Sequence, residues 1–406
     1  MRRGTEGLTV HKFGGASLAD AEAMRNAIAL ARSAAGRAAV VVSALAGVTD
    51  LLSEAGAAVG RAGQGRIREI AEELQRRYRK CVQAVVPAGA VRRDLEERVR
   101  GAFEDLALLS RAPDFVRDLS PAAMDALLAR GEEMAARIFA AGLTAAGRRA
   151  LWVDPLELIA TDGRFGGASP RPAETDRNIR RAVAPLLSKK IVPVVPGFTG
   201  AAPDGRTVTL GRGGSDLTAT LLARALSAKA VFLWKDVPGM LTADPRVVPD
   251  ARVIPQLNVR EAAELAYYGA KVLHPRAIIP IARRGIPVFV RPFARPEETG
   301  TEISGRRTLA RYPVKALSAI SGQALLTVTG NGMLGVPGIA ARTFAALHRD
   351  GISVSLISQA SSEHSICLSV PEAQAPQARA SLLEAFAEEI SRREIDGVEL
   401  AAGLST

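Results

Sequence analysis

A glycine-rich stretch at residues 209–226, TLGRGGSDLTATLLARAL, carries an arginine and an acid within one short turn. Its pattern predicts a strand end, a turn and a helix, and such a turn offers backbone N–H groups and the positive end of a helix dipole to an anion. A phosphate-binding Walker turn needs Lys and then Ser or Thr where Ser215 and Asp216 stand. Arg212 could bind a carboxylate and Asp216 an ammonium. The turn therefore predicts an amino acid as ligand, and the alternative is a structural turn whose polar residues cap the helix.

A second glycine turn, KFGGAS, follows the first predicted strand. Gly14 and Gly15 would present backbone donors to a phosphate, and Lys12 would add a mobile ammonium. The alternative is a tight turn without a ligand. Ser43 and Thr49 lie around the end of the next predicted strand, where open α/β sheets gather their ligands.

Four more charged residues stand where they could serve such a ligand site. Glu132 falls on a predicted helix; an acid there usually faces solvent, but in a cleft it would help to bind a substrate ammonium. Asp236 follows an apolar run and could contact a ribose or a metal ion, and Arg246 and Lys271 could bind phosphates. His274, which precedes a proline, is predicted to be structural.

The elements that must position these residues alternate along the first 290 residues. Short apolar strands separated by long amphipathic helices predict an α/β fold with a mainly parallel sheet covered on both faces. The clearest predicted strands are LTVHKF, AAVVVSAL, ALWVDP, IVPVVPGF, AVFLWKDV and IPVFVRPF. The region from about residue 50 to 147 interrupts this rhythm and predicts a helical layer beside the sheet.

Residues 314–406 follow a charged, proline-containing connector and predict a smaller α+β module. Its first predicted strand is VKALSAI. Within the module, GNGMLG matches the G-x-G-x-x-G pattern of dinucleotide sites, but the acid that should end the second strand is absent there and Asp350 precedes that strand instead. The sequence therefore argues against a dinucleotide site.

The composition is that of a globular protein and excludes several classes. A net charge of +11 could favour nucleic acid, but the basic residues are scattered and only 4% of the residues are aromatic. The longest uncharged stretch, residues 316–341, contains glycines and a proline and does not predict a membrane segment. The N-terminus has no apolar segment typical of a signal peptide, and two distant cysteines fit a reducing compartment, so we expect a cytoplasmic protein without nucleic-acid or membrane partners.

Five motifs in this order and spacing resemble the aspartate kinases of the amino-acid kinase fold. They are KFGGAS, VVSALAGVTD, GFTGAAPDGRTVTLGRGGSDLTA, DVPGMLTADPR and GAKVLHP. The resemblance implies a three-layer αβα kinase domain at residues 1–300. The tail resembles an ACT regulatory domain at residues 314–406.

The resemblance also implies roles for individual residues. Lys12 would contact the transferring phosphate, and Arg212 and Asp216 would bind the α-carboxylate and α-ammonium of aspartate. The rest of the substrate pocket would comprise Ser43, Thr49, Glu132, Phe198 and Ser215. The nucleotide side would comprise Lys12, Gly14, Gly15, Asp236, Met240, Arg246 and Lys271. The effector contacts of the ACT domain would be Asn331, Met333 and Gln359.

The implied reaction is transfer of the γ-phosphoryl group of ATP, with Mg²⁺, to the side-chain carboxylate of L-aspartate. The sequence departs from the common pattern at Ala16, Lys235 and Met240, where many relatives carry Thr, Thr and Tyr. A second ACT module appears only as its opening strand, which would make the chain a fragment, for example of a bifunctional enzyme with homoserine dehydrogenase, or an enzyme with reduced regulation by lysine or threonine. The resemblance also implies a homo-oligomer. Another amino-acid kinase, of the glutamate 5-kinase type, and a catalytically silent amino-acid sensor are the alternatives.

Overall fold

Two units make up the chain, and the division between them falls after Ala316. The computed structural model describes residues 7–60, 64–111, 118–268, 272–306, 314–333, 336–359 and 364–406. The sequence predicted a first domain ending at residue 300 and a second beginning at residue 314. Within the described ranges, no helix is both long enough and apolar enough to span a bilayer.

The first unit is an α/β structure. Among the described residues, its strands are β1 (Thr9–Phe13), β2 (Ala38–Val42), β3 (Ala150–Trp152), β4 (Val192–Pro196), β5 (Thr199–Ala201), β6 (Thr207–Thr209), β7 (Ala230–Lys235), β8 (Gln256–Asn258), β9 (Val288–Pro292) and β10 (Thr301–Ser304). Its α-helices there are α1 (Ala21–Ser33), α2 (Val48–Ala57), α3 (Gln64–Val85), α4 (Ala90–Leu108), α5 (Pro121–Ala145), α6 (Pro172–Ser188), α7 (Gly214–Leu226), α8 (Val259–Tyr267) and α9 (Pro275–Ala282).

The central sheet has the strand order β3-β4-β2-β1-β7-β9-β10-β8. The first six strands in this order are parallel and coincide with the six predicted strands. The prediction of a mainly parallel sheet is therefore confirmed. The sheet continues through β10, which runs antiparallel to β9, and β8, which is parallel to β10. A separate antiparallel pair, β5 and β6, leads into the glycine-rich turn.

Alternating side chains of the sheet enter two apolar layers. In β2, Val41 packs into the core shared with α6, α7 and α9, whereas Val40 and Val42 pack into the core shared with α1 to α5. Successive side chains of a strand point to opposite faces, so a continuous apolar strand buries both. The helical region from residue 50 to 147 is thus one outer layer of the predicted three-layer αβα fold, as expected.

The second unit is a small α+β domain. Among the described residues, it consists of β11 (Ser321–Thr329), α10 (Ile339–Arg349), β12 (Leu356–Gln359), β13 (Ser365–Pro371), α11 (Ala375–Ala385), α12 (Ala387–Ser391) and β14 (Gly397–Ser405). Its sheet has the order β12-β13-β11-β14 and all its pairings are antiparallel. Asp350 ends α10 and accepts a hydrogen bond from Ser381, which gives this acid a structural role.

One predicted strand of the tail is wrong. Residues 314–320, VKALSAI, form no strand, and the first strand of the unit begins at Ser321. Val314 is 62% exposed and Leu317 is 73% exposed. Ala316 packs partly buried against an apolar core, and Ile320 exchanges backbone hydrogen bonds with Thr406, but the segment as a whole forms no strand and gives no support to a second module beginning here.

Candidate active site

Two lysines share one buried carboxylate at the carboxyl ends of β1 and β7. Lys12 Nζ lies 2.9 Å from Asp216 Oδ1, and Lys235 Nζ donates a hydrogen bond to Asp216 Oδ2 at 2.7 Å. Lys12 is opposite Leu233 in the parallel pairing, so Lys235, two residues further along β7, projects from the same face. Asp216 reaches both lysines from the first turn of α7, which packs on that face.

The pKa values of Asp216 and Lys12 are shifted by burial and by the neighbouring charges. Burial would raise the pKa of Asp216, but the ammoniums of Lys12 and Lys235 lower it to about 2. Burial lowers the pKa of Lys12, and Lys235 lowers it further, while Asp216 opposes the shift. Groups with such perturbed pKa values are concentrated at functional sites.

The surroundings of Asp216 bear on one expectation from the sequence. Asp216 was predicted to bind a ligand ammonium, and this role stays a prediction. In this structure the residue is only 5% exposed and each of its oxygens contacts a lysine, Lys12 or Lys235. Asp216 therefore orients the two lysines in this structure.

Glu132 supplies a second buried carboxyl group, and only part of its hydrogen-bonding capacity is used. The residue is 3% exposed, and burial raises its pKa to about 7, against a backbone hydrogen bond from Ala44 and the charge of Lys12. Among the described residues, its Oε2 atom has no hydrogen-bond partner. A buried polar atom without a partner is costly, and a ligand donor would relieve that cost. Glu132 therefore does not lie on a solvated helix face.

The glycine-rich turn is packed tightly between two neighbours. Gly213 has a φ of +75°, and a Cβ atom on it would lie 2.4 Å from Cβ of His274. His274 caps α9 by accepting a hydrogen bond from the Arg276 backbone at 3.2 Å, as expected for a structural residue. Burial, with the charges of Arg276 and Arg212, lowers its pKa. The turn thus keeps Arg212 exposed at the surface of the site.

Phe198 and Ser215 lie against the same turn. Phe198 has a φ of +73°, a backbone region that residues other than glycine seldom adopt. A Cβ on Gly214 would lie 2.9 Å from its ring, and a Cβ on Gly197 would lie 2.5 Å from that of Ser215. These close approaches leave no room for larger side chains between the two loops.

The sequence analysis missed Asp125, which ties α5 to the base of the turn. This buried carboxylate accepts hydrogen bonds from the Thr209 backbone and the Thr209 hydroxyl, each at 2.8 Å, and from the Gly166 backbone at 2.9 Å. Asp125 precedes Glu132 by seven residues, so both project from one side of α5. An isolated acid at this spacing on an apolar helix was the available signal.

The predicted phosphate turn adopts a form suited to a ligand. Gly14 approaches Lys12 so closely that a Cβ on it would lie 3.3 Å from Nζ, and Gly15 begins a short 3-10 helix. Ser43 follows β2 and its backbone donates to Phe13, while Thr49 lies in the first turn of α2, half-buried.

The residues predicted to bind the nucleotide differ in how accessible they are to a ligand. Asp236 is exposed directly after β7. Arg246 is exposed and pairs with Asp244 at 2.6 Å. Met240 is 1% exposed in the apolar core, and its backbone bonds Thr301 and Ile254, so its side chain offers no surface to a nucleotide. Lys271 lies outside the described residues.

Comparison with known proteins supplies the family. The amino acid kinase family matches residues 7–292, and an ACT domain matches residues 326–386. The chain belongs to the amino acid kinase family. It is 38% identical to lysine-sensitive aspartokinase 3 of Escherichia coli, over 89% of this chain and 78% of that protein. The predicted resemblance to aspartate kinases is therefore confirmed.

Relatives differ in how much of their length this chain covers. It is 34% identical to the bifunctional aspartokinase/homoserine dehydrogenase of Haemophilus influenzae over 98% of this chain, but it spans only 49% of that protein. The structure of E. coli aspartokinase III with aspartate and ADP matches with a TM-score of 0.80 and 34% identity, over 98% of this chain and 86% of that one. The aspartate kinase of Clostridium acetobutylicum, 23% identical with a TM-score of 0.76, shows the same fold.

In this amino acid kinase, the predicted effector residues lie in the 3-10 turn after β11, which contains Asn331 and Met333, and at the end of β12, where Gln359 stands. Met333 and Gln359 line a cavity of about 310 Å³, together with Val336, Gly338 and Ile366. Asn331 is exposed in the neighbouring 3-10 turn and does not line this cavity.

No group of three or more His, Cys, Asp or Glu side chains that could hold a metal ion occurs in the described part of this kinase. Mg²⁺ commonly binds through one or two carboxylates and the phosphates of a substrate, so it needs no such cage. Asp236, exposed at the end of β7, has the carboxylate oxygens and the position that fit this mode.

Proposed function

We propose that the chain is an aspartate kinase that transfers the γ-phosphoryl group of ATP to the side-chain carboxylate of L-aspartate. The bond between the γ-phosphorus and the bridging oxygen breaks, a bond to the aspartate carboxylate forms, and the products are 4-phospho-L-aspartate and ADP. The observation that carries this proposal is the buried Lys12–Asp216 pair beside the glycine turn and the unpartnered Glu132 oxygen. The E. coli relative solved with aspartate and ADP is consistent with it.

Recognition of aspartate would use groups of opposite charge. The exposed guanidinium of Arg212 would bind the α-carboxylate, for which its planar fork is suited. The Oε2 atom of Glu132 would accept a hydrogen bond from the α-ammonium, replacing the missing partner. Ser43, Thr49, Phe198 and Ser215 complete the proposed pocket.

Phosphoryl transfer would depend on shielding charge rather than on a base. A side-chain carboxylate with a pKa near ~4 is already ionised at neutral pH, so it needs no proton acceptor. The difficulty is bringing this anion to the triphosphate. Lys12, oriented by Asp216, and the backbone of Gly14 and Gly15 would stabilise the charge in the transition state. Mg²⁺, with Asp236 as its protein ligand, would neutralise phosphate charge, and Arg246 and Lys271 would add cations.

The same proposal includes the regulation, the cellular location and the oligomeric state of the enzyme. The ACT unit would bind lysine or threonine through Met333 and Gln359, with Asn331 nearby, and would reduce the activity when occupied. The enzyme would act in the cytoplasm as a homo-oligomer on a small-molecule substrate, in the first step toward lysine, threonine and methionine.

Trapping of the acyl phosphate with hydroxylamine tests the proposal. The purified chain is incubated with Mg-ATP and hydroxylamine, with L-aspartate or L-glutamate as substrate, and the hydroxamate is measured. We expect an aspartate-dependent product that falls when lysine or threonine is added. A glutamate-dependent product would point to the glutamate 5-kinase type, and no product from folded protein would favour an amino-acid sensor.

A further inference from the structure

Lys235 is the residue of this site that the proposed reaction does not yet use. Its ammonium shares Asp216 with Lys12, and its side chain is 16% exposed, against 6% for Lys12. It therefore lies on the solvent side of the shared carboxylate, where a ligand would approach.

The charges of this cluster do not balance. Two ammoniums contact one carboxylate, so the cluster carries an excess positive charge in a buried position. Glu132 compensates only in part, because its pKa of about 7 leaves it partly protonated at neutral pH. A buried excess charge is costly unless a counter-charge binds. The structure thus favours an anion next to Lys235.

The position of Lys235 at a strand end beside a glycine turn indicates which kind of anion would bind. Lys235 ends β7, Lys12 is near the end of the adjacent β1, and the ligands of open α/β sheets bind at such strand ends. The open side of Lys12 faces Gly14, where no side chain intervenes. Lysine binds phosphate as a compact point charge. Two neighbouring ammoniums beside a glycine turn suit a chain of phosphates, whose charges are spaced along its length.

We propose that Lys235 is a second phosphate-binding cation, which Asp216 holds beside Lys12 so that both ammoniums contact the triphosphate of the nucleotide. This inference rests on the proposed function, but it adds a specific contact. Asp216 then acts as a positioning residue for two cations at once. Each ammonium has three N–H donors, so it can contact a phosphate while it keeps its contact with Asp216.

Calorimetric titration of the full chain with inorganic tripolyphosphate, and with ADP, tests the contact without any turnover. Lys235→Met removes the charge and keeps the stem, Lys235→Arg keeps a charge, and Lys235→Thr introduces the residue common in aspartate kinases. Lys229→Met is the matched control, because Lys229 is an exposed lysine immediately before the other end of the same strand. Urea unfolding shows whether each variant is folded.

We expect Lys235→Met and Lys235→Thr to weaken tripolyphosphate binding about ten- to a hundredfold, the usual effect of a charged hydrogen bond. Lys235→Arg should restore most of the affinity, and Lys229→Met should leave it unchanged. Equal affinity of folded Lys235→Met and the wild type, or no tripolyphosphate or ADP binding by the wild type, would overturn the inference.

The experiments distinguish a failure of the proposed kinase reaction from a failure of the Lys235 proposal. If the wild type forms no acyl phosphate but binds tripolyphosphate through Lys235, the kinase reaction is wrong and the phosphate site remains. If it phosphorylates aspartate and Lys235→Met leaves both tripolyphosphate binding and KM for ATP unchanged, only the Lys235 proposal is overturned.

Discussion

The two buried acids of the site, Asp216 and Glu132, differ in their contacts. Asp216 lies 2.9 Å from the Lys12 ammonium and 2.7 Å from the Lys235 ammonium, whereas Glu132 Oε2 has no hydrogen-bond partner among the described residues. The two acids therefore differ in what they can offer a ligand. Asp216 fixes cations in place, and Glu132 remains available for a donor.

Replacement of Lys12 should affect turnover more than binding of aspartate. We expect Lys12→Met to lower kcat by about 10²–10³-fold, the usual effect of losing one donor to transition-state charge, with a smaller change in KM for aspartate. The hydroxamate assay measures both constants, and the exposed Lys80→Met on α3 is the control. Near-normal turnover of Lys12→Met would contradict its role at the phosphate.

Glu132 should make stability depend on pH. Its pKa is higher in the folded chain, at about 7, than the ordinary value of 4.5. The folded state therefore holds this proton more tightly, and the stabilisation present below pH 4.5 is lost as the pH rises through 7. Between pH 5 and pH 8 the loss from this group should reach about 2.5 kcal/mol.

Urea unfolding at a series of pH values measures this effect. Glu132→Gln should flatten the dependence and also weaken aspartate binding, because the amide carries no charge for the ammonium. Glu133→Gln, on the adjacent residue that pairs with Arg137, should leave the dependence intact. A wild-type stability that is constant from pH 5 to pH 8 would argue against the raised pKa.

Elements position the site through a few polar contacts. Helix α5 carries Glu132, and its Asp125 holds the end of β6 and the loop at Gly166 through three hydrogen bonds. The glycine turn is therefore anchored at its base by one carboxylate on the neighbouring layer.

Asp125→Ala should destabilise the fold substantially. The substitution leaves the backbone N–H groups of Thr209 and Gly166 without their acceptor, and we expect a loss of about 3 kcal/mol or more. Thr209→Val removes one of the three bonds and should cost about 1 kcal/mol. Denaturant unfolding measures both, with Asp94→Ala, at an exposed ion pair on α4, as a control expected to show no measurable change. A small effect of Asp125→Ala would show that the turn does not depend on this anchor.

The contribution of the close contact between Gly213 and His274 to stability can be measured by comparing Gly213→Ala with Gly205→Ala. Gly205 has a similar φ of +84°, but no atom lies within 4 Å of the position that a Cβ would take there, so Gly205→Ala should cost only the backbone strain of about 1 kcal/mol. Gly213→Ala adds a clash with His274 and should cost at least about 1–3 kcal/mol more. Equal losses in urea unfolding would mean that the turn shifts away from His274.

Strands could be predicted from the sequence where a local apolar pattern specifies them. They could not be predicted where contacts with distant residues determine whether a strand forms. The six parallel strands are short and mostly apolar, and each was predicted. The short strands β8 and β10 and the pair β5–β6 have only three or four residues each, so they carry little pattern of their own. VKALSAI has the pattern of a strand, but Val314 and Leu317 remain exposed and no strand forms there.

The site shows the same division. Lys12 and Arg212 were singled out because they stand in glycine-rich turns, and Glu132 was singled out as an acid that could serve a ligand if it lay in a cleft; their roles stay predictions. Lys235 contacts Asp216 because α7 packs on β7, and the side chain of Met240 is buried in the core that the sheet shares with α6, α7 and α9, so neither could be predicted from local sequence.

At the scale of the whole molecule, two units with separate apolar cores should respond to different ligands. The first unit contains two apolar clusters around its sheet, and the second contains its own. A ligand that binds only the folded state stabilises the unit that binds it, by about 2.7 kcal/mol at a hundred times its Kd.

Scanning calorimetry of the full chain tests this independence. Aspartate with Mg-ADP should raise the unfolding temperature of the kinase unit, and the effector, lysine or threonine, should raise that of the ACT unit. D-aspartate with Mg-ADP is the control for stereospecific binding. An unfolding profile that L-aspartate and Mg-ADP leave unchanged would contradict the assignment of the first unit.

The pairing of β1 with β7 also governs how this protein is made. Ser17 donates to the Trp234 carbonyl across 217 positions of sequence. At ~5–20 residues per second, a ribosome needs roughly 10–40 seconds to synthesise the chain between Lys12 and Asp216. During that interval the nascent chain carries Lys12 without Asp216, and β1 with its neighbour β2 but without β7. Contacts so distant also close slowly, which lengthens the time in which a chaperone could bind the unfinished sheet.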